Sequence, residues 1–183
     1  MRFHATPISG LFVAETTPFT DERGSFVRLF CDQELAEIFG DRKVTQINQS
    51  ITRSVGAIRG LHFQTAPHAE MKLVRCLEGR VWDVAVDLRK DSPTFLQWHA
   101  EELSPIDMKM MVIPEGFAHG FQTLEPNSRL LYLHTASYAP SAEGGVRFDD
   151  PMVDIAWPRD PVDLSSRDAS HPLLKSGFEG ISV

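Results

Sequence analysis

The stretch RVWDVAVDLR, residues 80 to 89, restricts the fold more than any other part of the chain. Its side chains alternate with a period of two. Trp82, Val84, Val86 and Leu88 point one way and Val81, Asp83, Ala85 and Asp87 the other, as in a strand covered on both faces. KLVRCLEG, KMMVIPEG, HGFQTL and RLLYLHTASY repeat the pattern, separated by EG, SP, PEG and EPN turn signals. Short strands with close turns predict an all-β sandwich or barrel rather than a βαβ fold. A jelly roll suits 183 residues. The one strong helical signal is QELAEIFG, with Asp32 as its expected cap and Gly40 as its end. The tail WPRDPVDLSSRDASHPLL is rich in proline and aspartate and is expected to pack over the barrel as irregular structure with a short helix. With no repeat or linker, residues 1–183 are expected to form a single domain.

Composition narrows the partners. A net charge of −7 disfavours a non-specific grip on nucleic acid, although placed arginines could still bind a small anionic ligand. No apolar stretch is long enough to cross a bilayer, and the N-terminus lacks the pattern of a signal peptide. Cys31 and Cys76 form no CxxC motif and read as two free thiols, so a cytoplasmic location is expected.

His62 in GLHFQ and His119 in PEGFAHGF are the first candidates for chemistry. They follow the two half-motifs of cupin barrels, in which histidines and a glutamate commonly hold a metal. Gln64 stands where a second histidine would be, and a neutral amide is a poor ligand for zinc or iron; Glu70 lies beyond it. The two histidines are either core residues satisfied by hydrogen bonds or part of a polar cavity that also holds Arg59, Gln64 and Lys72. An interior lined by such residues is costly without a ligand or solvent, which favours the cavity. Arg59 and Arg23 could bind phosphate through their planar guanidinium groups; Arg23, in TDERG, could equally be a solvated turn charge. Tyr132 and Tyr138 could serve as acids or stacking surfaces, or as core residues. Asp168, in DLSSRDASHP, reads locally as a helix cap.

Taken together, TPFTDERGSF, RGLHFQ, AEMKLVRCLEGRVWDVAVDLRKDSPTF, IPEGFAHGFQTL, Tyr132-x5-Tyr138-x-Pro140, VRFDDP…IAWP and LSSRD resemble the dTDP-4-dehydrorhamnose 3,5-epimerase family across roughly residues 5 to 174. The resemblance implies a metal-free cupin-type jelly roll without cofactor, working as a homodimer that exchanges N-terminal strands. The implied activity is epimerisation at carbons 3 and 5 of a nucleotide-linked 4-keto-6-deoxyhexose. By the same resemblance, His62 matches the catalytic base, Asp168 its carboxylate partner, Tyr132 the opposing acid and Lys72 the lysine near the keto oxygen. Arg59 and Arg23 match diphosphate-binding arginines, Arg23 reaching across the dimer. Phe19, Gln46, Asn48, His119, Tyr138, Glu143 and Arg167 match positions around the nucleotide and sugar. Three departures, Arg28, Leu133 and a longer interval from Asn48 to Arg59, are expected near the nucleotide end or the cavity wall. Alternatives are a single-centre epimerase, an epimerase of a CDP- or GDP-linked keto sugar, a metal-dependent cupin and a non-catalytic carbohydrate-binding barrel.

Overall fold

A computed structural model describes residues 1–183. It contains two antiparallel sheets rolled against each other. The six-stranded sheet runs in the order β1 (Arg2–Ala5), β2 (Phe12–Glu15), β10 (Lys109–Ile113), β7 (Lys72–Glu78), β12 (Ser128–His134), β5 (Gln46–Thr52). The five-stranded sheet runs β13 (Glu143–Gly145), β6 (Ile58–Gln64), β11 (Phe117–Thr123), β8 (Val81–Asp87), β9 (Trp98–Leu103). A separate hairpin pairs β3 (Phe19–Asp21) with β4 (Gly24–Phe26). This is the jelly roll that the strand pattern predicts.

Three apolar layers explain why the central strands are hydrophobic throughout. Val81 and Ala85 of β8 join Val74, Cys76, Phe117, Phe121 and Leu130 between the sheets. Trp82, Val84, Val86 and Leu88 face outward, where Val153, Ile155, Trp157, Leu174, Phe178 and Ile181 of the C-terminal tail cover them. The outer face of the other sheet is covered by helix α1 (Asp32–Phe39), whose Leu35 and Phe39 pack on Leu73, Met110, Val112 and Leu133. Burying each of these two side chains contributes roughly 1.5–3 kcal/mol. Strands covered on both sides lose their amphipathic signature and keep only the alternation.

Helix α1 differs from the expectation in one respect. Its N-cap is Cys31, and Asp32 is the first helical residue. Asp32 and Glu34 therefore act by placing negative charge in the first turn rather than by capping. Gly40 ends the helix at φ 56°, as expected. Both cysteines are free.

Candidate active site

A cavity of about 1060 Å³ opens between the two sheets. Its walls come from β5, β7 and β12 on one side, from β6 and β11 on the other, and from the turn around helix α2 (Ser166–Ala169). Local sequence explains why polar side chains converge here. Strict alternation along β6 would put Arg59 and His62 on opposite faces. At Gly60 the backbone adopts φ 117°, and the register with β11 shifts between His119 and Phe121. Both side chains then reach the cavity.

Asp168 is 4% exposed, and its Oδ1 lies 2.7 Å from His62 Nε2. Its Oδ2 accepts from the Gly60 amide at 3.3 Å. Burial pushes this carboxyl up, but the His62 hydrogen bond and charge and the Gly60 amide outweigh it, holding Asp168 below the usual aspartate value. Asp168 is not the cap of α2. Ser165 is, accepting from the Asp168 amide at 3.0 Å, so the carboxylate is free to meet His62. The hydrogen bond assigns the proton to His62 Nε2 and leaves Nδ1 as the basic nitrogen.

Tyr132 stands on β12, in the sheet facing His62. Burial drives its phenol well above the ordinary tyrosine value, only partly offset by the hydrogen bond with Ser50 at 2.9 Å. It is therefore protonated at neutral pH, the state a proton donor needs. His119 pairs with His62 across β6 and β11, and its ring meets Tyr132 edge-on at 6.2 Å. Lys72 is 8% exposed; its ammonium donates to the His62 carbonyl at 3.2 Å and lies 3.3 Å from Glu70. Positive charge placed beside His62 can stabilise a developing oxyanion.

The remaining expected residues fall into three groups. Gln46, Asn48, Tyr138, Glu143 and Arg167 line the cavity; Tyr138 donates to Glu143 at 2.7 Å, and Arg167 is ion-paired with Glu143. Arg59 lines it too, exposed at the mouth. Phe19 and Arg23 lie apart from this lining, on the β3–β4 hairpin. Phe19 is 74% exposed, and Arg23 forms a turn-local ion pair with Asp21.

Gln64 is not a cavity residue. Its amide donates to the carbonyls of His68 and Ser137 and accepts from the Ala139 amide at 2.6 Å, so it ties two loops together. The other residues at the positions of a cupin metal set are also engaged elsewhere: His62 with Asp168, His119 with Asp83 at 2.8 Å, Glu70 with His134 at 2.8 Å. These groups do not converge on one point. Leu133 is a further correction, since it packs outward under α1 and not on the cavity wall. Arg28, another departure, pairs with Glu34 of α1.

Sequence reading passed over Asp83 and His134. Asp83 is fully buried beneath His119; burial raises its carboxyl, partly countered by the His119 charge. A carboxylate in the inward row of β8 was its signal. His134 lies two residues beyond Tyr132 on the same face and stacks on its ring at 6.1 Å.

The profile of the dTDP-4-dehydrorhamnose 3,5-epimerase family matches residues 5–176. The chain belongs to this family. An epimerase of that name from Salmonella typhimurium is 44% identical over 171 residues, covering 92% of this chain and 93% of that protein. One from Methanothermobacter thermautotrophicus is 40% identical, covering 95% of each. Among solved structures, the dTDP-6-deoxy-D-glucose-3,5-epimerase of Legionella pneumophila, in complex with dTDP-4-keto-L-rhamnose, superposes with a TM-score of 0.92. It is 36% identical, and the match covers 100% of this epimerase and 98% of that chain. A 3′-monoepimerase from Streptomyces bikiniensis, in complex with dTDP-quinovose, superposes with a TM-score of 0.86 at 32% identity, covering 93% and 86%. The epimerase is thus an isomerase-class enzyme. No helix in it is long and apolar enough to cross a membrane.

Proposed function

We propose that this chain inverts carbons 3 and 5 of dTDP-4-dehydro-6-deoxy-D-glucose, yielding dTDP-4-dehydro-L-rhamnose. One observation carries the mechanism: the His62–Asp168 pair and the protonated Tyr132 project from opposite sheets into one cavity. Inversion requires a proton to leave one face of the sugar and another to arrive on the other. The 4-keto group acidifies the neighbouring C–H bonds because the electron pair delocalises onto oxygen. His62 Nδ1 takes the proton, and Asp168 stabilises the resulting imidazolium. Lys72 offsets the charge on the enolate oxygen. Tyr132 gives its proton to the same carbon from the far side. Loss of the His62 proton to solvent and reprotonation of the phenolate then reset the site for the second carbon.

Arg59 at the mouth suits the diphosphate, with Arg53 beside it as a second cation. Phe19 and Phe26 form an exposed cross-strand pair on the β3–β4 hairpin, 74% and 70% exposed, with Arg23 at its turn. Such an apolar tip supports a homodimer in which the hairpin delivers Phe19 and Arg23 to the partner's nucleotide site. The two free thiols agree with a cytoplasmic location.

A second reading, inversion of one carbon only, is supported by the likeness to the 3′-monoepimerase. Turnover of the dTDP-keto sugar in deuterium oxide separates the two. Label at both carbons is expected. Label at one carbon supports the second reading, and no label at either refutes both.

A further inference from the structure

We propose that His62, Asp168 and His171 together bind a divalent transition metal such as Zn²⁺, and that the bound metal switches off the catalytic base. The kinetic part rests on the function proposed above; the binding part does not. One donor atom from each residue lies within 4.8 Å of the others. His62 Nε2 and His171 Nε2 are 2.7 and 4.0 Å from the same atom, Asp168 Oδ1. The short turn of α2 creates this arrangement, carrying Asp168 and His171 three residues apart towards the His62 ring. The two rings meet edge-on with centroids 5.7 Å apart.

His171 has no other occupation. Its Nε2 is buried and makes no hydrogen bond. A buried ring nitrogen without a partner calls for one. Space for the ring is built in, because a Cβ at Gly145 would lie 2.3 Å from His171 Nε2. Phe63, Gly144, Arg167 and Pro172 border an open groove of about 580 Å³ on this side, giving an ion a second approach to His171. Two imidazoles and one carboxylate suit zinc, cobalt or nickel and not the hard ions magnesium and calcium. Donors of a tetrahedral zinc site stand about 3.3 Å apart, given bonds of about 2.0–2.1 Å. The His62–Asp168 contact must open slightly, and His171 must close by less than about 1 Å on Asp168 and by at most about 1.5 Å on His62.

The metal takes the Nε2 lone pair of the other His62 tautomer, so the single ring proton moves from Nε2 to Nδ1 by way of solvent. Nδ1 then carries the proton and has no lone pair left to accept one from the sugar, and Asp168, now a metal ligand, no longer stabilises an imidazolium. Other groups lining the substrate cavity, among them Arg59, Lys72 and Tyr132, are not ligands and stay in place. Turnover therefore falls while substrate binding persists.

The test uses the full-length protein after chelator treatment. Titration with Co²⁺ should produce a visible absorption band that saturates at one equivalent and is displaced by Zn²⁺. In assays with the keto sugar, Zn²⁺ should lower kcat without changing KM, and EDTA should restore it. His171→Asn should keep its metal-free turnover and need at least about tenfold more Zn²⁺ for the same inhibition, since even outer-shell partners are worth 10–100-fold in metal affinity. No saturable Co²⁺ band in the wild type overturns the proposal, as does unchanged Zn²⁺ sensitivity in His171→Asn. If that variant is poorly folded, His171→Gln supplies the same comparison. If the keto sugar is not turned over, the Co²⁺ titration still decides the site, separating its failure from that of the proposed function.

Discussion

Asp168 owes its place at the site to a serine. Because Ser165 caps α2, the aspartate turns inward and meets His62 rather than capping its own helix. Local sequence points to a cap here, since an aspartate near a helix start normally has no better partner than the backbone. The better partner is 106 residues away along the chain and invisible to any local pattern. Asp168→Asn should lower kcat by roughly 10²- to 10⁴-fold, the span of a positioned proton transfer. It should also carry a signature in stability. The folded carboxyl titrates below its ordinary value, so the ionised Asp168 stabilises the fold above about pH 3.9 and loses this effect as pH falls through the lowered value. The wild type should therefore exceed Asp168→Asn in urea stability at pH 7 and pH 5, and the gap should close towards pH 3. A gap that widens on acidification would contradict this assignment.

Among the elements, β6 shows how one glycine sets up a site. A Cβ on Gly60 would lie 2.6 Å from Gly120 Cα and 2.7 Å from the His119 carbonyl oxygen, both rigid backbone. The positive φ and this close approach produce the register shift that brings Arg59 and His62 to one cavity. Gly60→Ala should cost about 2–5 kcal/mol by combining backbone strain with overpacking. It should also lose activity beyond its instability, because the Gly60 amide holds Asp168. Guanidinium unfolding and a pH 7 assay check the two effects separately. The strands themselves were legible, from RVWDVAVDLR to RLLYLHTASY, because alternation survives even where both faces are buried. Helix α1 was legible through the run QELAEIFG and its terminal Gly40, but not its cap, since an aspartate is also favoured inside the first turn, where Asp32 lies.

At the scale of the whole molecule, the hairpin bearing Phe19, Arg23 and Phe26 is the part not explained within one chain. If Arg23 serves a partner's nucleotide site, Arg23→Ala and His62→Asn chains should each be nearly inactive alone and recover activity when unfolded, mixed and refolded together. No recovery from the mixture, with each parent refolding to its native spectrum, would count against the shared site. What the sequence by itself determined is what nearest neighbours in the chain encode: the strand period, the turns, the α1 helix, and the inward or outward row to which each residue belongs. The order of the family motifs also singled out the residues proposed to carry the chemistry. Only the tertiary structure decided what those residues touch. Gln64 binds loop backbone and not the cavity, Leu133 packs under α1, Asp83 lies beneath His119, and His171 leans on His62. Each of these contacts joins strands or loops that are distant in the chain, and the closing of two sheets over one core sets their geometry.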